Sequence, residues 1–317
     1  MPRDALDIFR ALADPTRLRI FHLLRAMELS IGELAQVLGQ SQPRVSRHVK
    51  IMSDAGLADR RKEGSWVFLG LGAAECVTPL LSAIDSWGGD NAWIIADRAR
   101  LAAVRADRTV AAARYFAEHA EEWDAIRSLH VPESAVEQRI VDMLADVPVG
   151  RIVDIGTGTG RMIELLGPDA SSALGIDRSP EMLRLARAKL TEAGLANSEL
   201  RQGDMYALPL ADGAADLVIV HQVLHFAQQP AAAVAEAARL LAAGGRLLIV
   251  DFAAHELEEL RQRDAHARLG FDDDQIAGWM QAAGLGLARV EELVGDALTV
   301  KLWLGARGQR AALKVVS

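Results

Sequence analysis

Asp154-Ile-Gly-Thr-Gly-Thr-Gly160 is the stretch that decides the fold of this 317-residue chain. The Val149–Ile155 segment leading into the turn is short and apolar, as a buried strand is, and Arg161–Leu166 after it reads as helix. Strand, glycine turn and helix in succession make the ligand crevice of a doubly wound α/β fold. Glycine lets backbone approach a ligand closely and accepts torsions closed to other residues.

Two ligand classes compete for such a turn. A dinucleotide site requires G-x-G-x-x-G, which seats the pyrophosphate on a helix N-terminus. Here the spacing is G-x-G-x-G, and Arg161 stands where the third dinucleotide glycine belongs. The pattern acid-x-G-x-G-x-G, complete in Asp154–Gly160, suits S-adenosylmethionine (SAM). SAM has no phosphate and offers an amino-acid tail to Asp154 and to the backbone of Gly156, Thr157, Gly158 and Gly160. The next predicted strand, Ser172–Ile176, runs into Asp177-Arg178, twenty-three residues after Asp154, where a carboxylate can accept both ribose hydroxyls. A third strand leads to Gly203-Asp204-Met205; Asp204 can take the adenine amino group and Met205 can cover the ring. The fourth strand, Asp216–Val220, enters His221-Gln-Val-Leu-His225 at the carboxyl end of the sheet, where substrates enter. Pro230–Ala243 reads as an Ala/Leu helix turned by Gly244-Gly245, and Arg246–Asp251 reads as the fifth strand.

This half resembles class I SAM-dependent methyltransferases, especially the ubiquinone-biosynthesis-like group. The likeness covers about residues 130–305 and extends to Leu269-Gly-Phe271 and Ile276-Ala-Gly-Trp-Met-Gln-Ala-Ala-Gly-Leu285. It implies that Gly156, Gly158, Asp177, Asp204 and the backbone of His221 line the cofactor, SAM or S-adenosylhomocysteine (SAH). Methyl transfer is an in-line displacement that needs proximity and orientation above all, with a general base optional. His221 and His225 are the histidines near the expected substrate mouth; each is a candidate base, with a positional or packing role as the alternative. Arsenic methyltransferases of the superfamily use several cysteines, and the single Cys76 sets that substrate aside.

A second signature occupies the N-terminal third. In Ala11-Leu-Ala-Asp-Pro-Thr-Arg-Leu-Arg-Ile-Phe-His-Leu-Leu24, Asp14 can cap a helix and Pro15 fits its first turn. Ser30 caps a second helix with Ile31, Leu34, Ala35 and Leu38 inward, and Gly39 ends it. Ser41 caps a third helix running to about Ala55, with Val45, Val49 and Met52 inward. Gln42, Arg44, Arg47, His48 and Lys50 face outward, with Ser46 among them. A short helix, a Gly-bearing turn and a basic second helix fit the DNA major groove, where Arg addresses guanine and Gln adenine. Leu57–Leu71 alternates around the tight turn Lys62-Glu-Gly-Ser65, so Arg60, Arg61 and Lys62 form a wing suited to phosphates. The plainer alternative is a helical domain with solvated charges; cap, turn, helix and basic hairpin arriving in order argue against it.

Leu12-Ala-Asp-Pro-Thr-Arg-Leu-Arg-Ile20 and Ser46-Arg-His-Val-Lys-Ile-Met-Ser-Asp-Ala-Gly-Leu57 make residues 1–95 resemble the ArsR family of winged-helix regulators. The resemblance implies a homodimer reading a two-fold, double-stranded operator, usually as a repressor. The inducer ligands of metal-sensing members are missing: Ser30-Ile-Gly-Glu-Leu-Ala35 has no cysteine and Ala74–Ala99 no histidine. No metal is expected.

Composition agrees with this division. Half the residues are apolar and a quarter charged, as in a soluble globular protein. No stretch approaches a membrane span and Met1–Arg19 lacks a signal-peptide core, so the cytoplasm is the expected location. The net charge of −8 is uneven: residues 1–100 carry 13 Lys/Arg against 12 Asp/Glu, and Gln40–Ser53 carries no acid. A local basic face suffices for phosphate contact.

The expected organisation is a DNA-binding and dimerisation domain over 1–95, a helical connector over 96–130, a methyltransferase-like domain over 131–305 and a tail over 306–317. Trp87-Gly-Gly-Asp-Asn91 is a candidate hinge. Phe116 and Trp123 stand one heptad apart on the connector, either packing on the second domain or forming a lid over the cofactor. Two functions follow: a regulator whose SAM- or SAH-binding domain modulates DNA binding, or an active small-molecule methyltransferase with a regulatory DNA-binding domain.

Overall fold

The computed structural model describes residues 5–63, 66–86, 92–124, 131–195 and 198–308, apart from the side chains of residues 105, 107–113 and 262. Gly64-Ser65 of the expected wing turn, the Trp87–Asn91 hinge, residues 125–130 of the connector and 309–317 of the tail lie outside the described residues. The chain divides into two units, Met1–Ala111 and Ala112–Ser317.

The first unit holds α1 (Ala5–Leu12), α2 (Pro15–Ala26), β1 (Leu29–Ser30), α3 (Ile31–Leu38), α4 (Gln42–Asp54), β2 (Ala58–Glu63), β3 (Trp66–Leu71) and α5 (Ala74–Ser86). The division falls inside α6 (Ala92–His119). Local chemistry sets the boundaries. The Asp14 carboxylate accepts from the N–H groups of Thr16 and Arg17 at 2.8 and 3.0 Å, starting α2. Ser30 and Glu33 form a reciprocal capping box on α3. Gly39, at φ +64°, closes that helix in the left-handed region. Ser41 corrects the expectation: it stands at the N-cap of α4, yet its hydroxyl makes no capping bond, and the fixed φ of Pro43 serves the first turn instead. β1, too short for a period-2 pattern, joins an antiparallel sheet of order β1-β3-β2. Ile20, Phe21, Leu34, Val45, Val49, Met52, Leu57 and Leu69 are buried in one core.

The second unit contains α7 (Glu133–Leu144), β4 (Arg151–Ile155), α8 (Arg161–Leu166), β5 (Ser172–Asp177), α9 (Pro180–Glu192), β6 (Ser198–Gln202) and β7 (Ala215–His221). It continues with α10 (Pro230–Arg239), β8 (Leu241–Phe252), α11 (Glu259–Arg263), α12 (Asp273–Ala282), β9 (Leu285–Val294) and β10 (Thr299–Arg307). The sheet order is β6-β5-β4-β7-β8-β10-β9. The first five strands are parallel, and β10 runs antiparallel to both its neighbours. Successive residues alternate between two cores: Leu217 and Ile219 face one, Val218 and Val220 the other, as a sheet covered on both faces requires.

One boundary departs from the sequence reading. Helix α10 ends at Arg239, and β8 begins at Leu241, before the expected Gly244-Gly245 turn. Leu241 pairs with Ala215 and Arg246 with Leu217, so the intervening Ala-Ala-Gly-Gly is a bulge inside the ladder. Pairing with β7 overrides the helical propensity of the alanines.

Strand order reverses between β4 and β7: the chain moves from β4 outward through β5 and β6, then returns to the other flank of β4. Ligands of open α/β sheets bind at that switch point, outside the carboxyl ends of the strands. The Asp154–Gly160 turn and His221 lie there.

Candidate functional site

The turn after β4 is built for close backbone approach. Gly156, Gly158 and Gly160 have φ of +74°, +54° and +85°, a region disfavoured for residues with a Cβ. A Cβ on Gly156 would lie 2.5 Å from the Val223 side chain, so that position admits only glycine. Asp154 is fully buried and accepts from the Thr157 hydroxyl at 2.6 Å. At the end of β5, the Asp177 carboxylate takes the Gly158 N–H on one oxygen at 2.9 Å and the Ser179 N–H on the other at 2.8 Å. Burial pushes its pKa above the ordinary value, against these backbone donors, which favour the anion.

This donor set fits SAM better than a dinucleotide. Two carboxylates at adjacent strand ends repel a pyrophosphate and attract the ammonium and sulfonium charges that SAM carries. Arg161, which follows the glycine turn, is engaged by Glu137 at 2.5 Å and Glu164 at 2.8 Å. Each carboxylate oxygen has two lone pairs, so the backbone bonds leave Asp177 capacity for ribose hydroxyls.

The remaining expected cofactor residues are placed unevenly. Asp204 is exposed, with one oxygen accepting the Tyr206 N–H at 3.2 Å, and Met205 is half-buried against the core that holds Leu208. Arg178 is exposed beside Asp177. His221 ends β7 and is buried, its Nε2 3.9 Å from Glu133 Oε1. Gln222, next along, adopts φ +47°, a strained value for a residue with a side chain. Its N–H donates to Val250 O at 2.7 Å, which holds the turn against β8.

His225 sits deeper than a mouth position suggests. Its Nδ1 lies 2.8 Å from Asp251 Oδ1, and both residues are buried. The backbone N–H groups of His225 and Phe252 also donate to Asp251, at 3.1 and 2.8 Å. Phe226, His266 and Phe252 surround the imidazole with centroid separations of 4.0, 4.2 and 5.0 Å. Asp251 and His266 were missed in sequence. Asp251 repeats the apolar-strand-then-acid pattern of Asp154 and was readable; His266 sits in irregular chain with no such pattern.

Phe116 and Trp123 share a face, with ring centroids 5.4 Å apart, and both pack on Phe226. Trp123 Nε1 stands 3.5 Å from where a Gly158 Cβ would be, so this segment covers the glycine turn. Asp124 fastens it, accepting from the Thr159 hydroxyl at 2.8 Å and pairing with Lys189. Tyr115, in the same aromatic cluster, has its phenol pushed up to about 12 by burial and by neighbouring Asp264.

In the first unit, Gln42, Arg44, Arg47 and Lys50 are exposed along α4 and Ser46 is half-buried. Arg44 and Arg47 form no ion pair among the described residues, whereas Lys50 pairs with Asp54 at 2.9 Å. His48 differs from its outward neighbours: it is half-buried, its Nδ1 3.7 Å from Asp14, and burial lowers its pKa. On the hairpin, Arg60 and Lys62 are exposed. Arg61 is tied to Glu63 and to Glu28, the latter at 2.9 Å, with its guanidinium 5.7 Å from the Phe68 ring.

No helix among the described residues is long and apolar enough to cross a membrane. No group of three or more His, Cys, Asp or Glu among them is placed to hold a metal.

Comparison with known proteins follows the same division. A family described as a helix-turn-helix domain matches residues 12–61, and one described as a methyltransferase domain matches residues 153–249. Over 63 residues the chain is 44% identical to the arsenical resistance operon repressor of Escherichia coli, covering 20% of this chain and 54% of that protein. Over 106 residues it is 33% identical to the uncharacterized methyltransferase YcgJ of Bacillus subtilis, covering 33% of this chain and 42% of that one. The chain thus spans about half the length of each. A chain from the complex of the Haloferax volcanii Trm112 methyltransferase activator with a methyltransferase superposes with TM-score 0.51 at 20% identity, covering 61% of this chain and 98% of that chain. That likeness speaks to fold. A helix-turn-helix domain and a methyltransferase domain of Rossmann-like fold are joined in one chain.

Proposed function

We propose that this protein is a DNA-binding transcription regulator, acting as a repressor, whose methyltransferase-fold domain binds SAM or SAH and thereby alters DNA affinity. The observation that carries the reading is the Asp177 clamp. Both its oxygens are held by backbone N–H groups of the glycine turn and the following loop, in a chain that also presents Arg44 and Arg47 exposed on α4. Asp154, Gly156, Thr157, Gly158, Gly160, Asp177, Arg178, Asp204, Met205 and the His221 backbone receive the ligand. Gln42, Arg44, Ser46, Arg47, Lys50, Arg60 and Lys62 meet DNA. His48 and Arg61 support that surface from within.

A homodimer on a two-fold operator fits this role, and Leu6 and Phe9 leave apolar surface on α1 that a second copy can cover. Thermodynamic linkage makes the coupling reciprocal: if SAM or SAH changes operator affinity by some factor, the operator changes ligand affinity by that factor. Calorimetric titration of the purified protein with SAM and with SAH, with and without a selected operator duplex, tests this. Ligand affinity that shifts with DNA supports the sensor. Tight binding indifferent to DNA supports the second reading, an active methyltransferase with a regulatory domain, which the buried His225–Asp251 pair favours.

A further inference from the structure

We propose that Tyr206 is a positioning residue: its phenol oxygen ties the turn that receives the adenine of SAM or SAH to residues 222–229, so that binding at the adenine end fixes that loop over the glycine turn. The proposal rests on the SAM-binding reading above and adds to it how the ligand is felt beyond its own contacts.

Tyr206 belongs to the expected adenine turn by its backbone and to the approach of α10 by its side chain. Its N–H donates to Asp204 at 3.2 Å, and the Gly203 N–H donates to the Asp177 carbonyl at 3.0 Å. These bonds chain the turn to the carboxylate clamp at the end of β5. The ring is half-buried against the core that holds Leu224 and Ala227. Its oxygen accepts the N–H groups of Gln228 and Gln229, at 2.8 and 3.2 Å. A phenol oxygen has two lone pairs, and both are spent on these donors. Burial pushes the phenol pKa above its ordinary value, so the group stays neutral.

A tyrosine that merely caps α10 is the competing account, since Gln229 at the N-cap makes no side-chain capping bond among the described residues. Yet the stretch after Tyr206 is fastened to α10 by other means. The Leu208 N–H donates to Glu236 at 2.7 Å, and Arg239 donates to the carbonyls of Leu208 and Leu210 at 3.1 and 2.8 Å. What Tyr206 holds is the chain before the helix, and that chain reaches the other end of the ligand site. A Cβ on Gly156 would lie 2.5 Å from Val223, and Phe226 packs on Trp123, which stands over Gly158. Gln222 opens the loop at φ +47°, a strained backbone that persists only where its surroundings hold it. At the far end Arg268 donates to the Gln228 carbonyl at 3.0 Å. Residues 222–229 therefore meet the glycine turn through Val223 and the adenine turn through Tyr206. A ligand that orders the adenine turn stiffens the loop through the phenol oxygen.

The test uses the full chain and reads the Gln228 and Gln229 amides by hydrogen exchange. In wild type, saturating adenosine or SAH slows exchange at both amides by about tenfold or more. Tyr206→Phe removes the acceptor and keeps the ring. By calorimetry its affinities for SAM and for adenosine fall by one common factor, about tenfold, the scale of a lost pair of neutral hydrogen bonds. Glu236→Gln breaks the neighbouring fastening; it lowers the melting temperature and leaves SAM affinity unchanged, which separates a structural loss from a positioning one. The exchange result comes from wild type, so a variant that fails to fold does not remove the test. Absence of SAM and adenosine binding in wild type would overturn the SAM-binding reading, and this proposal with it. SAM binding with unaltered exchange at Gln228 and Gln229, with unchanged affinity in Tyr206→Phe, or with equal losses in Tyr206→Phe and Glu236→Gln would overturn this proposal alone.

Discussion

The two candidate surfaces solve opposite electrostatic problems. Along α4 the charges are exposed, and Arg44 and Arg47 carry no partner among the described residues. At the glycine turn Asp154 is buried and Asp177 half-buried, and each carboxylate is held by donors of the chain itself. A polyanion supplies its own dense charge, so the surface meeting it needs only unpaired cations near enough to displace counterions. A small ligand arriving from water must be compensated group by group, so its site needs donors and acceptors fixed beforehand. Arg61 marks the boundary: it is basic in sequence and sits on the hairpin, but Glu28 and Glu63 have already claimed its charge.

The largest test of this contrast falls on the buried site. Asp177→Ala removes the acceptor that ties Gly158 and Ser179 together, and SAM affinity should fall by more than about 100-fold, at roughly 1.4 kcal/mol per tenfold. Calorimetry checks it, and unchanged affinity would displace the proposed site from the end of β5. Operator affinity of the ligand-free variant should be unaltered.

Next in size is the exposed face. Arg44→Ala and Arg47→Ala should each weaken operator binding by about 1–3 kcal/mol if they read bases, or reduce the salt slope by about one if they hold phosphate. Fluorescence anisotropy over a salt series separates the two cases. Preserved affinity in the double variant would break the comparison at its DNA end.

Arg61→Ala should behave unlike its neighbours. Removing it leaves Glu63 buried without its cation, a cost of about 1–3 kcal/mol in stability after allowing for its partial exposure. Thermal melting measures that loss. At a temperature where both variants are folded, operator affinity should change by less than two-fold, against a larger drop for Arg60→Ala.

How much of this was readable in the sequence depends on the range of the cause. Caps act within a turn, so Asp14 with Pro15 and Ser30 with Glu33 mark their helices directly. The Asp154–Gly160 turn is local too, because its glycines meet a backbone demand made at those positions. Beyond that range the reading thins. Ala242–Gly245 joins β8 only because β7 lies alongside, a fact no window over residues 230–250 contains. Phe116 and Trp123 are visibly one heptad apart, but Phe226, which packs on both, is about a hundred residues away. His48 falls on the outward side of a helical wheel, and only in the fold does Asp14, the N-cap of α2, come within 3.7 Å of its half-buried ring.

That last contact gives the smallest expected effect. Burial lowers the His48 pKa, with Asp14 opposing and Arg17, Arg44 and Arg47 adding to the shift. A histidine with a depressed folded-state pKa stays neutral in the native protein, while the unfolded chain binds the proton near its ordinary value. The unfolded state therefore binds more protons between the two pKa values, and stability rises with pH there. The contribution is intact above the ordinary histidine range and is lost as pH falls through it towards the lowered value. Melting temperature measured from pH 8 down to pH 5 should decline less in His48→Gln than in wild type. Parallel curves would mean that the imidazole stays solvated, and His48 would then rejoin Arg44 and Arg47 on the face offered to DNA.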